Sequence, residues 1–174
     1  SQPTIIAVAN QKGGVAKTTT SVNLTALLAA AGKRVLLVDM DPQGGCAVCL
    51  GMDTTTMERS IYDALVKQDV GVADVVVPTA FAFDLAPAHI DLAGAEIELK
   101  QARAAETVLQ RKLKPVLDRY DYVVIDTPPS LGILTVNSLT AADKVLIPIS
   151  AEYMALRGLR MLLDTLENVR EVTN

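Results

Sequence analysis

Gln11-Lys12-Gly13-Gly14-Val15-Ala16-Lys17-Thr18-Thr19 lies between an apolar run, Ile5-Ile6-Ala7-Val8-Ala9, and a segment of helical apolar spacing from Thr18 to about Ala31. A short apolar run closed by Asn10 and followed by glycines predicts a buried strand, and Gly32 predicts the end of the helix. A glycine-containing turn between strand and helix can direct its backbone N–H groups inward as a nest for phosphate oxygens. Gly13 and Gly14 permit the backbone angles and keep side chains out of the way, and the helix N-terminus adds partial positive charge. Lys12 to Thr19 are therefore the candidate phosphate-binding residues. Lys17 is placed to reach the β- and γ-phosphates, and the Thr18 hydroxyl to ligate Mg²⁺. A plain glycine-rich turn is the alternative, but it leaves two lysines flanking two glycines unexplained.

A second apolar run, Val35-Leu36-Leu37-Val38, leads into Asp39-Met40-Asp41-Pro42-Gln43-Gly44, and a third, Tyr122-Val123-Val124-Ile125, leads into Asp126. Strand, helix and strand within so few residues form a βαβ unit with parallel strands. Ligands of such sheets sit beyond the carboxyl ends of the strands, which gathers Asp39, Asp41 and Asp126 near the triphosphate, where Mg²⁺ requires oxygen ligands. Asp126 is expected to hold Mg²⁺ and Asp39 to support the metal from behind. Asp41, beyond the strand end, is read either as an acceptor for the attacking water or as a turn residue ahead of Pro42.

The remaining chain continues the alternation. Short helices are expected over Ile61–Lys67 and Leu92–Leu99, and longer ones over Ala104–Leu117, Leu131–Ala141 and Ala155–Val172. Strands are expected at Val75–Val77, Phe83–Ala86 and Val145–Ile149. The expectation is one α/β domain over residues 1–174: a mostly parallel twisted sheet with helices on both faces. Half of the 174 residues are apolar and only 3% aromatic, so aliphatic side chains carry the core. The net charge of -4 excludes nucleic-acid binding through overall charge and leaves a local patch or a dimer face. No signal-peptide pattern and no transmembrane run is present, and two cysteines suit a reduced, cytoplasmic setting.

The phosphate loop departs from G-x-x-x-x-G-K-[ST], with Gln11 and Ala16 at the two glycine positions. It matches K-G-G-x-x-K-T, the deviant Walker A pattern, with Lys12 as the extra lysine. Together with Asp39–Gly44 and Asp126-Thr127-Pro128-Pro129-Ser130, it resembles the ParA/MinD superfamily of P-loop ATPases. Asn10-Gln11, Asp41-Pro42-Gln43-Gly44 and Ala151-Glu152-Tyr153 resemble the ParA/Soj partition branch more narrowly. The resemblance implies a Mg²⁺-dependent ATPase, bound to ATP or ADP, that closes as a homodimer over two nucleotides. It implies that Lys12 crosses to the partner's phosphates, that Lys17 and Thr18 act in cis, and that Asp41 positions water. It further implies non-specific DNA binding when ATP-bound, nucleoid association, and a ParB-type partner that stimulates hydrolysis. Members of the family usually continue past the last helix, where the adenine-contacting loop and much of the basic DNA-binding surface lie, so the resemblance names no adenine-contacting or DNA-contacting residue in this chain.

Weaker signals are read plainly. Cys46 and Cys49 form a C-x-x-C, expected as two small buried thiols, since a metal site usually wants four ligands. His89 is expected in a loop without a catalytic role. Arg157 and Arg160 are read as a solvated helix face. Two other functions share the motifs: a MinD-like membrane switch, which needs a basic amphipathic C-terminal helix, and a small-molecule enzyme or metal-cluster carrier on the same fold.

Overall fold

The computed structural model describes residues 2–150 and 155–172. Three largely apolar strands form the centre: β1 (Thr4–Val8), β2 (Val35–Asp39) and β5 (Tyr122–Asp126). The sheet has six strands in the order β3-β4-β2-β5-β1-β6, with β3 (Val77–Pro78), β4 (Asp84–Ala86) and β6 (Lys144–Leu146). All neighbours pair parallel except β3 with β4, which run antiparallel as a short hairpin. Pro78 in edge strand β3 removes a donor that would otherwise invite further pairing.

Successive residues of the central strands feed two cores, as the pleat requires. Val8, Val35, Leu37, Leu85 and Val124 face α1 (Lys17–Ala30) and α2 (Gly45–Cys49). Ala7, Leu36, Val38, Val123 and Ile125 face the opposite layer. That layer consists of α3 (Ile61–Val66), α4 (Leu92–Gln101), α5 (Val108–Leu113), α6 (Ile133–Ala141) and α7 (Ala155–Val172). Ser60 starts α3 with a capping box in which its hydroxyl meets the first turn and Asp63 returns to its backbone N–H. Among the described residues no helix is long and apolar enough to cross a membrane.

The α/β class and the placement of helices on both faces agree with the sequence, while four local expectations change. The helix expected over Ala104–Leu117 is α5 flanked by 3-10 turns at Ala105–Thr107 and Lys114–Arg119. Pro115 has no N–H for the α-helical ladder, so the chain tightens there. The strand expected over Val145–Ile149 ends at Leu146, ahead of Pro148. Val75–Val77 yields a 3-10 turn, Val72–Asp74, and then only β3. Of the two cysteines expected to be buried, Cys46 is buried and Cys49 is exposed, because α2 turns only one face to the sheet. Arg157 and Arg160 are exposed on α7, as expected. The Ala151-Glu152-Tyr153 stretch lies outside the described residues.

Candidate phosphate-binding site

The loop between β1 and α1 opens at the carboxyl edge of the sheet. Gly14 has φ +73°, a conformation that glycine adopts without strain, and side chains added at Gly13 or Gly14 would meet nothing within 4 Å. The space over these glycines is open. Ala16, at the N-cap of α1, takes φ 57° in the left-handed region. It offers no side-chain cap, and the first helical turn contains no acidic residue. The first N–H groups and the positive end of α1 thus have no capping side chain of their own, an arrangement suited to phosphate.

Lys17 begins α1 and is buried, with Nζ donating to the Lys12 carbonyl at 3.1 Å. Burial lowers its pKa, while Asp126 and Asp41 pull it back up. Ser21 and Thr25 follow at intervals of four and are also fully buried. One polar stripe of α1 therefore faces the sheet. Ser21 Oγ donates to Asp126 Oδ1 at 2.7 Å, and Thr18 Oγ1 donates to Asp126 Oδ2 at 2.7 Å. The end of β5 is thereby fastened to the start of α1.

Asp39 and Asp126 are register partners on adjacent strands, both fully buried. Asp39 Oδ1 accepts from the Asp41 N–H at 3.0 Å and Oδ2 from the Cys46 N–H at 3.1 Å. Asp39 thus fixes the loop between β2 and α2. Burial, followed by the charge of Asp126, pushes its pKa up to about 7. Burial also raises the pKa of Asp126, opposed by the Thr18 and Ser21 hydroxyls. Two carboxylates and a threonine hydroxyl are hard oxygen donors, and the crowding of two acids favours a cation between them. This donor set fits a divalent ion such as Mg²⁺. Asp41 Oδ1 accepts from the Gln43 N–H at 3.0 Å, so the turn reading of Asp41 holds in this state.

Three participants escape a motif reading. Ser21 sits one helical turn beyond Lys17, and that spacing was the available signal. Cys46 Sγ lies 3.6 Å from Asp126 Oδ2, with its thiol pKa raised by burial, and no sequence pattern pairs them. Gly45 approaches Thr18 so closely that an added Cβ would stand 3.1 Å from Thr18 Cγ2. His89 pairs with Asp91 at 3.2 Å away from the phosphate loop, in a partly exposed loop.

Comparison with known proteins agrees with this geometry. Residues 3–174 match the AAA_31 family, described as an AAA domain. The chain is 53% identical to the sporulation initiation inhibitor protein Soj of Bacillus subtilis, over 98% of this chain and 67% of Soj. The chain belongs to the ParA/Soj family of P-loop ATPases. It is 47% identical to the chromosome partitioning protein ParA of Myxococcus xanthus, over 98% of this chain and 60% of that protein. It therefore spans about three fifths to two thirds of these ParA/Soj relatives. The structure of cobyrinic acid a,c-diamide synthase from Mycobacterium smegmatis with bound ADP and magnesium superposes with a TM-score of 0.95 at 45% identity, covering 99% of this chain and 70% of that one. The Lys12–Thr19 loop follows β1, and Asp126 closes β5 beside it.

Proposed function

We propose that this chain is the nucleotide-switch domain of a DNA partition ATPase, binding Mg-ATP or Mg-ADP at Lys12–Thr19. The observation that carries the reading is the closure of Thr18 onto Asp126 at 2.7 Å, beneath an open glycine loop. Bound Mg-ATP would supply the transferable phosphoryl group and the cation that screens its charge. The chain's own residues do the positioning on which phosphoryl transfer depends. Gly13 to Ala16 and the first N–H groups of α1 receive phosphate oxygens. Lys17, on the Lys12 carbonyl here, would pair with the β- and γ-phosphates. Thr18 and Asp126 would hold the cation, and Asp39 would buttress the site by fixing the loop that carries Asp41. Asp41 orients the attacking water. Lys12 serves the nucleotide of a second subunit in a homodimer, placing charge where it develops in the transition state.

The partition role draws on the Soj and ParA likeness. In this reading the ATP-bound dimer associates with nucleoid DNA without sequence preference in the cytoplasm, and a ParB-type protein stimulates hydrolysis. In this reading residues 1–174 form one nucleotide-binding domain. The deciding experiment is DNA co-sedimentation with Mg-ATP, with Mg-ADP and without nucleotide, at low and raised salt. Binding with ATP alone that weakens as salt rises supports the partition switch. Nucleotide binding with indifference to DNA in every state favours a second reading, a small-molecule enzyme, for which the likeness to the diamide synthase speaks. Failure to bind nucleotide sinks both.

A further inference from the structure

Lys12 stands beside two glycines that confer backbone freedom, yet a lysine that must reach one point on another subunit requires a defined loop. The restraint on the loop's entry is Asn10. This residue is only 6% exposed, and its carboxamide is used at both ends. Oδ1 accepts from the Lys12 N–H at 3.0 Å, and Nδ2 donates to the Pro148 carbonyl at 2.6 Å. Pro148 belongs to the segment that follows β6, and Lys12 Nζ approaches Ser150 Oγ of the same segment at 3.4 Å. The base and the head of Lys12 are thus both referred to one neighbouring stretch of chain, the former through Asn10. Among the described residues the adjacent Gln11 makes no comparable tie, and its Oε1 is buried without a hydrogen-bond partner.

We infer that Asn10 is a positioning residue for the lysine loop, tying it to the Pro148–Ser150 segment so that Lys12 is presented in one conformation. A primary carboxamide accepts and donates at once. A carboxylate in its place accepts from Lys12 but opposes the Pro148 carbonyl, and alanine does neither. The inference rests on the reading of Lys12 given above for its functional meaning, but its structural half stands apart from that reading.

The test is hydrogen exchange on the nucleotide-free chain, comparing wild type with Asn10→Ala and Asn10→Asp, followed by titration with a fluorescent ATP analogue and turnover assays. Loss of the clasp should speed exchange across residues 11–16 by at least about fivefold in Asn10→Ala, and by a smaller factor in Asn10→Asp. Exchange in β2 and β5 should stay unchanged. Analogue affinity should change less than about threefold while turnover falls toward that of Lys12→Ala. Unaltered exchange over residues 11–16, or equal acceleration throughout the sheet, overturns the inference. So does Asn10→Asp turnover equal to that of wild type. If Lys12→Ala itself turns over normally, the role assigned to Lys12 fails, while the exchange data still judge the clasp.

Discussion

Lys12 and Lys17 are separated by four residues and by environment. Lys17 is buried under its own loop, whereas Lys12 lies at the loop's entry and reaches toward Ser150. The proposed cis role of Lys17 and trans role of Lys12 start from these different positions. Lys12→Ala should lower turnover by about 10²-fold, the scale of one lost transition-state charge contact, while binding of an ATP analogue to the monomer changes less than about threefold. Equal turnover in mutant and wild type, measured by phosphate release, would remove the trans role. Asp41→Ala should lower turnover similarly but leave an ATP-bound dimer that persists in size-exclusion chromatography. A variant that hydrolyses at the normal rate leaves Asp41 only its turn with Gln43.

At the scale of elements, β2 and β5 enter the sheet side by side, pinned at their base by Arg34 and Asp121. The guanidinium meets Asp121 Oδ1 at 2.9 Å, and the Arg34 N–H donates to Oδ2 at 2.9 Å. These bonds lower the Asp121 pKa from 3.8 to about 2, with the Arg34 side chain as the first cause. A depressed folded-state pKa contributes stability above the unfolded value that is lost as the pH falls through the folded one. The contribution is therefore present above about pH 4 and fades toward about pH 2, and the exposure of the pair keeps it small. Asp121→Asn should lower the urea midpoint slightly at neutral pH and flatten the decline between pH 4 and 2. An acid limb identical to that of wild type would assign the pH dependence elsewhere. The central strands and α1 were legible in the sequence because short apolar runs ending in glycines (β1) or an aspartate (β2, β5) have few other meanings. The 3-10 ends around α5 and the early stop of β6 were legible only through Pro115 and Pro148, whose effects depend on which neighbour needs the missing N–H. Helix α2 was not legible, since five residues rich in small side chains carry no periodic signal. The phosphate loop and its aspartates were readable as a motif. Ser21, Cys46 and Asn10 join the site through tertiary contacts that no short pattern encodes.

For the molecule as a whole, a ligand that binds only the folded chain must stabilise it by mass action. Mg-ADP at about one hundred times its dissociation constant should add about 2.7 kcal/mol, which for a domain of this size raises Tm by roughly 5–10 °C. EDTA should remove much of the shift and Lys17→Ala nearly all of it. A melting temperature indifferent to Mg-ADP would argue against the phosphate-loop assignment.

The Asp39–Asp126 register pair bears on how such a protein can change over generations. With its pKa raised to about 7, Asp39 makes the fold less stable as pH rises from the ordinary carboxylate range toward neutrality. Replacing it with asparagine would relieve that repulsion but set an NH₂ group against one of the two backbone N–H groups, of Asp41 and Cys46, that the carboxylate now accepts. Selection for heat resistance alone, applied without nucleotide, would therefore pull on this pair in two directions, the repulsion favouring asparagine and the loop bonds favouring aspartate. Two acids side by side at the heart of the sheet thus answer to the fold, which each of them fastens, and in the proposed function to the cation as well.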